Sequence, residues 1–536
     1  MAGSSEHSHW GWGRADRFPD RAARKALGAQ IETLLGFSPG GLEDPVPLDA
    51  VDLPPPRITL PEPWYSAASE TRVRHTYGRA YRDLVRGFRG DFRLAPDVVA
   101  RPRNEDELEQ TLALCHAKGW AVVPHGGGSS VVGGVTPDAE DRRDDRPVIA
   151  LATQGLSGLH ELDEVSRLAR IGAGTLGPHL ERALGEHGLS LRFYPQSFEY
   201  STLGGWVATR AGGHFATGPT RIDDLVAGVR ALSPAGWSST EVRPSSGAGP
   251  SPDRLWLGSE GAFGLIVDAT VRVRKRPTHR ASATIHFARF QDAVAVAKEI
   301  VQSGLRPANC RVLDEREAAL NMVTTDGKAI LILGFESGRL PQEDPLRRAL
   351  RWAQAAGGVC HRGPVVRTGD DHRAADGASA WRSAFIEAPY LQTNLVSLGV
   401  LADTFETVCT WARFPELHRA VVGTMVEEMR RLCGSGRISC RFTHVYPDGP
   451  APYYTFLCPV RAGSEVETWS RLKQAATDAL RREGGSITHH HAIGRIHRPW
   501  YAEQVPKLHQ QALRAVRSTL DPQGIMNPGV LLPPEA

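Results

Sequence analysis

Several things are missing from this 536-residue chain, and each absence closes off a class of function. It has no run of about 18 apolar residues, so nothing in it reads as a membrane-spanning helix. Its formal net charge is only +3, too small to argue for a nucleic-acid partner. No two of its seven cysteines (Cys115, Cys310, Cys360, Cys409, Cys433, Cys440, Cys458) stand at CxxC spacing. An odd, dispersed set reads as reduced thiols and a cytoplasmic location. The first residues, MAGSSEHSHWGWG, lack a charged-then-apolar signal pattern, and the closing PPEA matches no sorting address. No internal repeat at solenoid spacing is present.

What is present is glycine in clusters. Val122-Val123-Pro124-His125-Gly126-Gly127-Gly128-Ser129-Ser130-Val131-Val132-Gly133-Gly134 follows an apolar stretch that reads as a strand. Glycine permits positive φ and lets successive N–H groups converge on an anion, so the loop suits a diphosphate. No Gly-Lys-Ser/Thr follows, which excludes a Walker loop, and the spacing departs from G-x-G-x-x-G. A second small-residue stretch runs from Tyr194-Pro195-Gln196-Ser197-Phe198-Glu199-Tyr200-Ser201-Thr202 through Ala208-Thr209-Arg210-Ala211 to Gly213. A third is Gly258-Ser259-Glu260-Gly261-Ala262-Phe263-Gly264-Leu265-Ile266. Three such segments suggest loops converging on one extended cofactor rather than separate surface turns.

The elements around them alternate. Asn104 reads as the cap of a helix with acids in its first turn and Leu108 and Leu112 at helical spacing. Strands are expected at 97–102, 120–123, 147–152, 167–171, 225–232 and 269–273, with a helix over 176–187, which argues for α/β layers. After Lys275-Arg276-Pro277 the pattern changes to a one-sided strand at 281–287 and an amphipathic helix at 290–301, with further strands expected at 308–313, 329–335, 437–445 and 453–460 and helices at 346–356 and 469–483. Residues 363–378 read as a polar, flexible loop. The expected domains are an arm at 1–92, a cofactor domain at 93–277, a second domain at 278–504 and a returning segment at 505–536. Trp10 and Trp12, in His9-Trp10-Gly11-Trp12-Gly13, read as packing of a terminal arm, with ligand contact the alternative.

The reactive groups fall in the second domain. Gly484-Gly485-Ser486-Ile487-Thr488-His489-His490-His491 carries three consecutive histidines. In an extended segment His489 and His491 share a face, with His490 opposite. Acid–base work or substrate polarisation is the preferred role; a metal site or a structural role stays open. His444 is a further candidate. Tyr453 and Tyr454 lie on a strand, and a phenol acts as a base only where neighbours stabilise phenolate. Arg311, mid-strand, needs an anionic or π partner; an ion pair with Asp314 or Glu315 is the alternative.

These segments carry a resemblance. PHGGGSSVVGG, QSFEYSTLGGWVATRAGG and GSEGAFGLIVDAT resemble the flavin-contacting segments of the vanillyl-alcohol-oxidase type of FAD-binding fold. WGWG, DTFETVCTW, the Tyr453 strand and GGSITHHHAIGR are similar to the alkylglycerone phosphate synthase (alkyldihydroxyacetonephosphate synthase) family within it. The likeness covers roughly residues 9–530. It implies an α+β, two-domain fold of vanillyl-alcohol-oxidase/PCMH type with an α+β cap (substrate) domain.

It also implies noncovalent FAD, with the diphosphate on Gly126–Ser130. Pro124 and His125, Gln196–Thr202, Ala208–Ala211, Glu260–Ile266 and Asn527 complete the cofactor site. His125 precedes the glycines, so no covalent bond is expected there. The implied reaction exchanges the acyl group of acyl-dihydroxyacetone phosphate for a long-chain alkyl group, the flavin N5 acting as carrier, with no net redox change. Tyr453 matches the proton-shuttling tyrosine, His489, His490 and His491 the histidine cluster, and Arg311 an arginine that supports the site; no metal is expected. The resemblance further implies a lipid substrate, an apolar tunnel, peripheral membrane contact and a homodimer.

In one place the sequence departs from the family. The family's phosphate-binding arginine falls in Ala388-Pro389-Tyr390-Leu391-Gln392-Thr393, where this chain has Gln392. A neutral amide lacks the charged, bidentate contact that phosphate favours. Arg382 is the nearby candidate to compensate. The alternative reading is an FAD-dependent oxidase or dehydrogenase of a 2-hydroxy acid or related alcohol.

Overall fold

The protein is described by a computed structural model covering residues 7–137, 146–369 and 389–532. The first glycine loop leaves a small sheet. Tyr65–Ser66, Val98–Ala100, Val148–Ala152 and Ala121–His125 lie in that order, the last three parallel. Parallel neighbours need a crossover, and the helix Glu105–Lys118 supplies it. Asn104 caps that helix through the Glu107 N–H, and Gly119 ends it at φ +67°. The chain's last segment returns to this sheet. Met526 pairs in parallel with Val122, and Ile525 and Met526 are buried in the sheet's core.

Beside it stands an antiparallel five-stranded sheet, ordered Leu159–Asp163, Leu168–Gly172, Leu265–Arg272, Val226–Ser233 and Gly236–Ser239. Leu265 and Ile266, expected in a cofactor loop, open one of its strands and are buried.

The second domain is built on a seven-stranded antiparallel sheet. Its order is Val365–Thr368, His279–Phe287, Ala329–Ser337, Asn309–Leu313, Arg437–Val445, Pro450–Pro459 and Val400–Glu406. Period-two alternation sorts its side chains. Cys310, Val312, Cys440, Phe442, Tyr454, Phe456, Leu401 and Phe405 point into one apolar core. That core is completed by the helices Phe290–Gln302, Glu343–Ala355, Phe414–Cys433 and Glu465–Arg482. Their neighbours Arg311, Arg441, Thr443, Tyr453, Thr455 and Thr404 go to the other face and line a cavity. The same alternation that makes the strands amphipathic therefore places the polar chemistry.

One expectation about local structure is corrected. The segment read as a loop from 363 contains the edge strand Val365–Thr368, paired with residues His279–Ser282; Val365 and Val366 supply β-propensity that glycine and arginine neighbours obscured. Residues 370–378 of that segment lie outside the described residues. The three histidines are not extended. Residues 489–491 form bends, because their backbone N–H groups turn towards one carboxylate.

Trp10 packs as an arm residue should, edge-on to Phe18 and Phe88 at centroid distances of 5.2 and 5.1 Å. Gly87 leaves room for it: a Cβ there would lie 2.8 Å from that of Trp10. Trp12 does something else, described below. No helix among the described residues is long and apolar enough to cross a membrane.

Candidate functional site

A cavity of about 500 Å³ lies between the glycine loops and the polar face of the seven-stranded sheet, a volume ordinary for a cofactor or substrate site. One wall is Gly126–Ser130, with Gln196, Ser197, Ser201, Thr202, Thr209 and Ala211 from the second small-residue stretch. The glycines are required by the packing of these loops on each other. A Cβ on Gly127 would lie 1.6 Å from the Tyr200 carbonyl oxygen, and one on Gly126 2.5 Å from Thr202 Oγ1. Gly128 sits at φ +66°, in the left-handed region. The result is a bare backbone wall with hydroxyls beside it, which fits a diphosphate.

The remaining expected cofactor residues stand behind this wall. Pro124 packs against the backbone of Gly261, where a Cβ would lie 2.8 Å from Pro124 Cγ. His125 is buried beneath Gly128 and packs at a tilt on His75, ring centroids 4.7 Å apart. Phe198 packs on Tyr194. Glu199 accepts from the Tyr390 hydroxyl, which also pairs with that of Tyr200. Ala208 gives its carbonyl to the Glu260 N–H, and Arg210 pairs with Asp223. Ala262, Phe263 and Gly264 continue into the core and the strand behind. Glu260 is buried and accepts from Ile493 N–H at 2.9 Å and Gly494 N–H at 2.7 Å; burial pushes its carboxyl up to about 7. Asn527 donates to the carbonyls of Gly134 and Glu260, tying the returning segment to two glycine loops.

The opposite wall carries the expected reactive groups. Tyr453 is paired in register with Glu406 on one side and Arg441 on the other, so three side chains from three strands stand in one row. The Arg441 guanidinium lies 4.0 Å over the Tyr453 ring and pairs with buried Glu317. The Tyr453 hydroxyl donates to Thr404 Oγ1 at 2.9 Å. Burial pushes this phenol up to about 12, against the opposing pull of Arg441. It is therefore protonated at neutral pH. His490 stacks on it at 6.0 Å and His491 meets it edge-on at 5.5 Å.

The histidine bend is organised by Glu406, which the sequence reading did not single out. Its carboxylate accepts from the backbone N–H of His489 (2.6 Å), His490 (3.0 Å) and His491 (2.9 Å) and from Thr488 Oγ1 (2.6 Å). Burial works to raise Glu406, but the three histidines and these donors hold it well below the usual carboxylate range. His490 and His491 line the cavity; His489 stands behind them, its Nε2 2.8 Å from the Tyr446 hydroxyl. Burial presses His489 down to about 3, and His491 and His444 well below 6.5. The nitrogens of His444, His489 and His490 lie within 4.8 Å of one another. Two of these rings are already committed: His444 Nε2 is 2.8 Å from the Gly213 carbonyl, and both nitrogens of His489 are engaged.

Arg311 lines the cavity and donates to the His214 carbonyl at 2.7 Å rather than pairing with Asp314 or Glu315. Asp314 instead caps the helix Glu315–Leu320. Burial, then the neighbouring Arg441, presses Arg311 down to about 9. Gln392 also lines the cavity, and its amide is committed: Oε1 accepts from Trp12 Nε1 at 3.2 Å, and Nε2 donates to the Ala402 carbonyl at 2.9 Å. Trp12 itself forms part of the wall, so the arm contributes to the site. Arg382 lies outside the described residues. Beyond Gln392 the cavity is apolar, bounded by Leu320, Met322, Leu391, Leu395 and Leu457.

Comparison with known proteins agrees with this geometry. The FAD binding domain family matches residues 96–238, and the family described as FAD linked oxidases, C-terminal domain, matches residues 276–531. The chain therefore carries an FAD binding domain followed by the C-terminal domain of FAD linked oxidases. Its cofactor is FAD, and it has the two-domain vanillyl-alcohol-oxidase/PCMH-type fold. It is 28% identical to the alkyldihydroxyacetonephosphate synthase of Dictyostelium discoideum, over 86% of this chain and 77% of the relative. It is also 28% identical to that of Trypanosoma brucei brucei, with the same shares covered. A solved structure of an alkyldihydroxyacetonephosphate synthase superposes with a TM-score of 0.80 at 23% identity, covering 97% of this chain and 98% of that one. That likeness is one of fold.

Proposed function

We propose that this chain is an FAD-dependent synthase of the alkylglycerone phosphate type, exchanging the acyl group of acyl-dihydroxyacetone phosphate for a long-chain alkyl group. The observation that carries this reading is the facing of two walls: bare glycine backbone on one side, and Tyr453 with His490 and His491 on the other. Bound FAD supplies a ring nitrogen able to carry the substrate fragment. Gly126–Ser130 hold its diphosphate, and His125, turned beneath the loop, leaves the cofactor untethered. Tyr453 Oη enters the reaction protonated and donates to the departing carboxylate. His490, its ring on the cavity wall, accepts the proton of the incoming alcohol. Arg311 and Arg441 give that wall positive charge, and the apolar end past Gln392 takes the alkyl chain.

The printed names of the curated relatives support this reading, and a small lipid substrate accords with them. Contact with a membrane surface and assembly as a homodimer are further parts of the proposal. The neutral, committed amide of Gln392 favours a second reading, an FAD-linked oxidase of an unphosphorylated 2-hydroxy acid or alcohol.

One experiment separates them. FAD-replete protein is mixed with acyl-dihydroxyacetone phosphate and radiolabelled hexadecanol under anaerobic conditions. The synthase incorporates label into an ether without an electron acceptor. Bleaching of the flavin by a 2-hydroxy acid, with no label incorporated, overturns the first reading in favour of the second.

A further inference from the structure

Tyr446 lies outside the cavity wall and has no part in the reaction described above, yet it is hydrogen-bonded into the histidine cluster. From the cavity outward, His490 Nδ1 is 3.0 Å from His489 Nδ1, His489 Nε2 is 2.8 Å from the Tyr446 hydroxyl, and that hydroxyl is 3.2 Å from Thr220 Oγ1. Only His490 of these lines the cavity. Tyr446 is half-buried, and the residues after it, Pro447 and Asp448, are exposed.

We propose that Tyr446 is the outer end of a proton path that leaves the cavity through His490 and His489. One placement of the hydrogens makes every bond run the same way. Glu406 Oε2, a carboxylate oxygen that can only accept, lies 3.4 Å from His490 Nδ1 and 3.9 Å from His489 Nδ1. The nearer contact places the hydrogen on His490 Nδ1, which donates to His489 Nδ1. His489 Nδ1 is then a lone pair, which leaves the hydrogen of this ring on Nε2, facing the Tyr446 oxygen. The Tyr446 hydrogen then points to Thr220. The chain runs donor to acceptor from the cavity outward, and His490 Nε2 is the lone pair at its inner end.

A path of this kind needs a neutral middle ring, with one N–H and one lone pair. Burial keeps His489 in that form across the physiological range, holding it at about 3. The charged and titratable groups around the path are Glu406, His444, His491, Tyr453, Arg221 and Asp224. Arg221 donates to the His489 carbonyl at 2.5 Å and adds positive charge that further disfavours a cationic His489. When a substrate hydroxyl gives its proton to His490 Nε2, the Nδ1 hydrogen passes to His489 Nδ1. The Nε2 hydrogen of His489 passes to the Tyr446 oxygen, and the Tyr446 hydrogen leaves towards Thr220 Oγ1. One proton enters, one leaves, and no electrons move. The same path serves either reaction under "Proposed function", and it rests only on that cavity being the reaction site.

Two measurements test it. Nitrogen-15 NMR of histidine-labelled, FAD-loaded full-length protein at pH 7.5 is expected to show His489 protonated at Nε2 and His490 at Nδ1. This arm needs no turnover, so it decides the path even where the labelled-alcohol exchange fails. A His489 hydrogen on Nδ1 overturns the proposal. In turnover, Tyr446→Phe keeps the ring and removes the hydroxyl. It is expected to lower kcat by about 10- to 100-fold with KM unchanged. Wild-type turnover in Tyr446→Phe, or a loss that falls on KM instead of kcat, overturns it.

Discussion

Glu406 and Tyr453 stand directly opposite each other on neighbouring strands, and the carboxylate of the first shapes the loop that packs on the ring of the second. Through this pairing the sheet aligns the phenol and the histidines as one unit. A change at Glu406 should therefore reach His490 and His491 before it reaches the cofactor.

Glu406→Gln keeps the side-chain shape and sets an amide NH2 among backbone N–H donors. Leaving buried donors unmatched costs about 1–3 kcal/mol. The expected outcome is a lower melting temperature and turnover reduced by at least about 100-fold, since the histidine bend no longer fits the Tyr453 ring. FAD content, read from the absorbance of purified protein, stays near that of the native enzyme because no glycine-loop residue contacts Glu406.

The fold around this pair was largely readable in the sequence. Asn104 as a cap, the alternation of 437–445 and the change of pattern after Pro277 all depend on neighbours close in the chain, and they correspond to observed elements. Glu406 was harder. It lies within the quoted DTFETVCTW segment, but the donors to its carboxylate are more than 80 residues away, and Tyr453 is set beside it only by strand register. The three histidines are visible as a motif, but their conformation is not, because it is set by that distant carboxylate. Trp12 was read as arm packing for the same reason: its indole partner, Gln392, lies 380 residues on. Arg441 went unremarked beside Cys440 and Phe442, although period two places it on the Arg311 face.

Tyr453→Phe removes one hydroxyl that donates to Thr404 and leaves the ring, its stacking on His490 and the Arg441 contact in place. The loss of one hydrogen bond is worth about 1 kcal/mol, so the melting temperature should change little. Turnover should fall by about 100- to 10,000-fold, the usual worth of a positioned proton donor. Unchanged FAD content with lost turnover, measured in the exchange assay, would place the effect on the chemical step.

Gln392→Arg tests what reaches the far side of the cavity. The amide is uncharged and held by Trp12 and Ala402, with Asp403 Oδ1 3.5 Å from its Nε2. A guanidinium here gains Asp403 as counter-ion and offers a charge to a phosphate. A charge-assisted contact of about 1.5–3 kcal/mol corresponds to roughly a 10- to 100-fold lower KM for a phosphorylated substrate. KM for an unphosphorylated 2-hydroxy acid should not fall. Steady-state kinetics with both substrates reads the difference directly.

The buried histidines also make stability depend on pH, and the sign can be worked out. His489 is held at about 3, and His75, His418 and His497 at about 4, while His125, His444 and His491 are also pushed well down; burial is the first cause in every case. Each binds a proton in the unfolded chain near pH 6.5 but not in the folded one, so each withdraws stability as pH falls below about 6.5. Three buried carboxyls act the other way. Glu260 and Asp314 are pushed up to about 7, and burial also pushes Asp83 up, so they withdraw stability as pH rises out of the usual carboxylate range. The histidines pushed down by burial outnumber these carboxyls between about pH 4.5 and 6.5 and prevail. The melting temperature of the FAD-loaded protein should therefore rise steeply from pH 5 to pH 6.5 and level off above 7. His497→Gln, which replaces a ring accepted by the Ala492 carbonyl, should reduce that slope. Calorimetric scans across this range would show the rise; a melting temperature that falls between pH 5 and 6.5 would mean that the carboxyls, not the histidines, govern the balance.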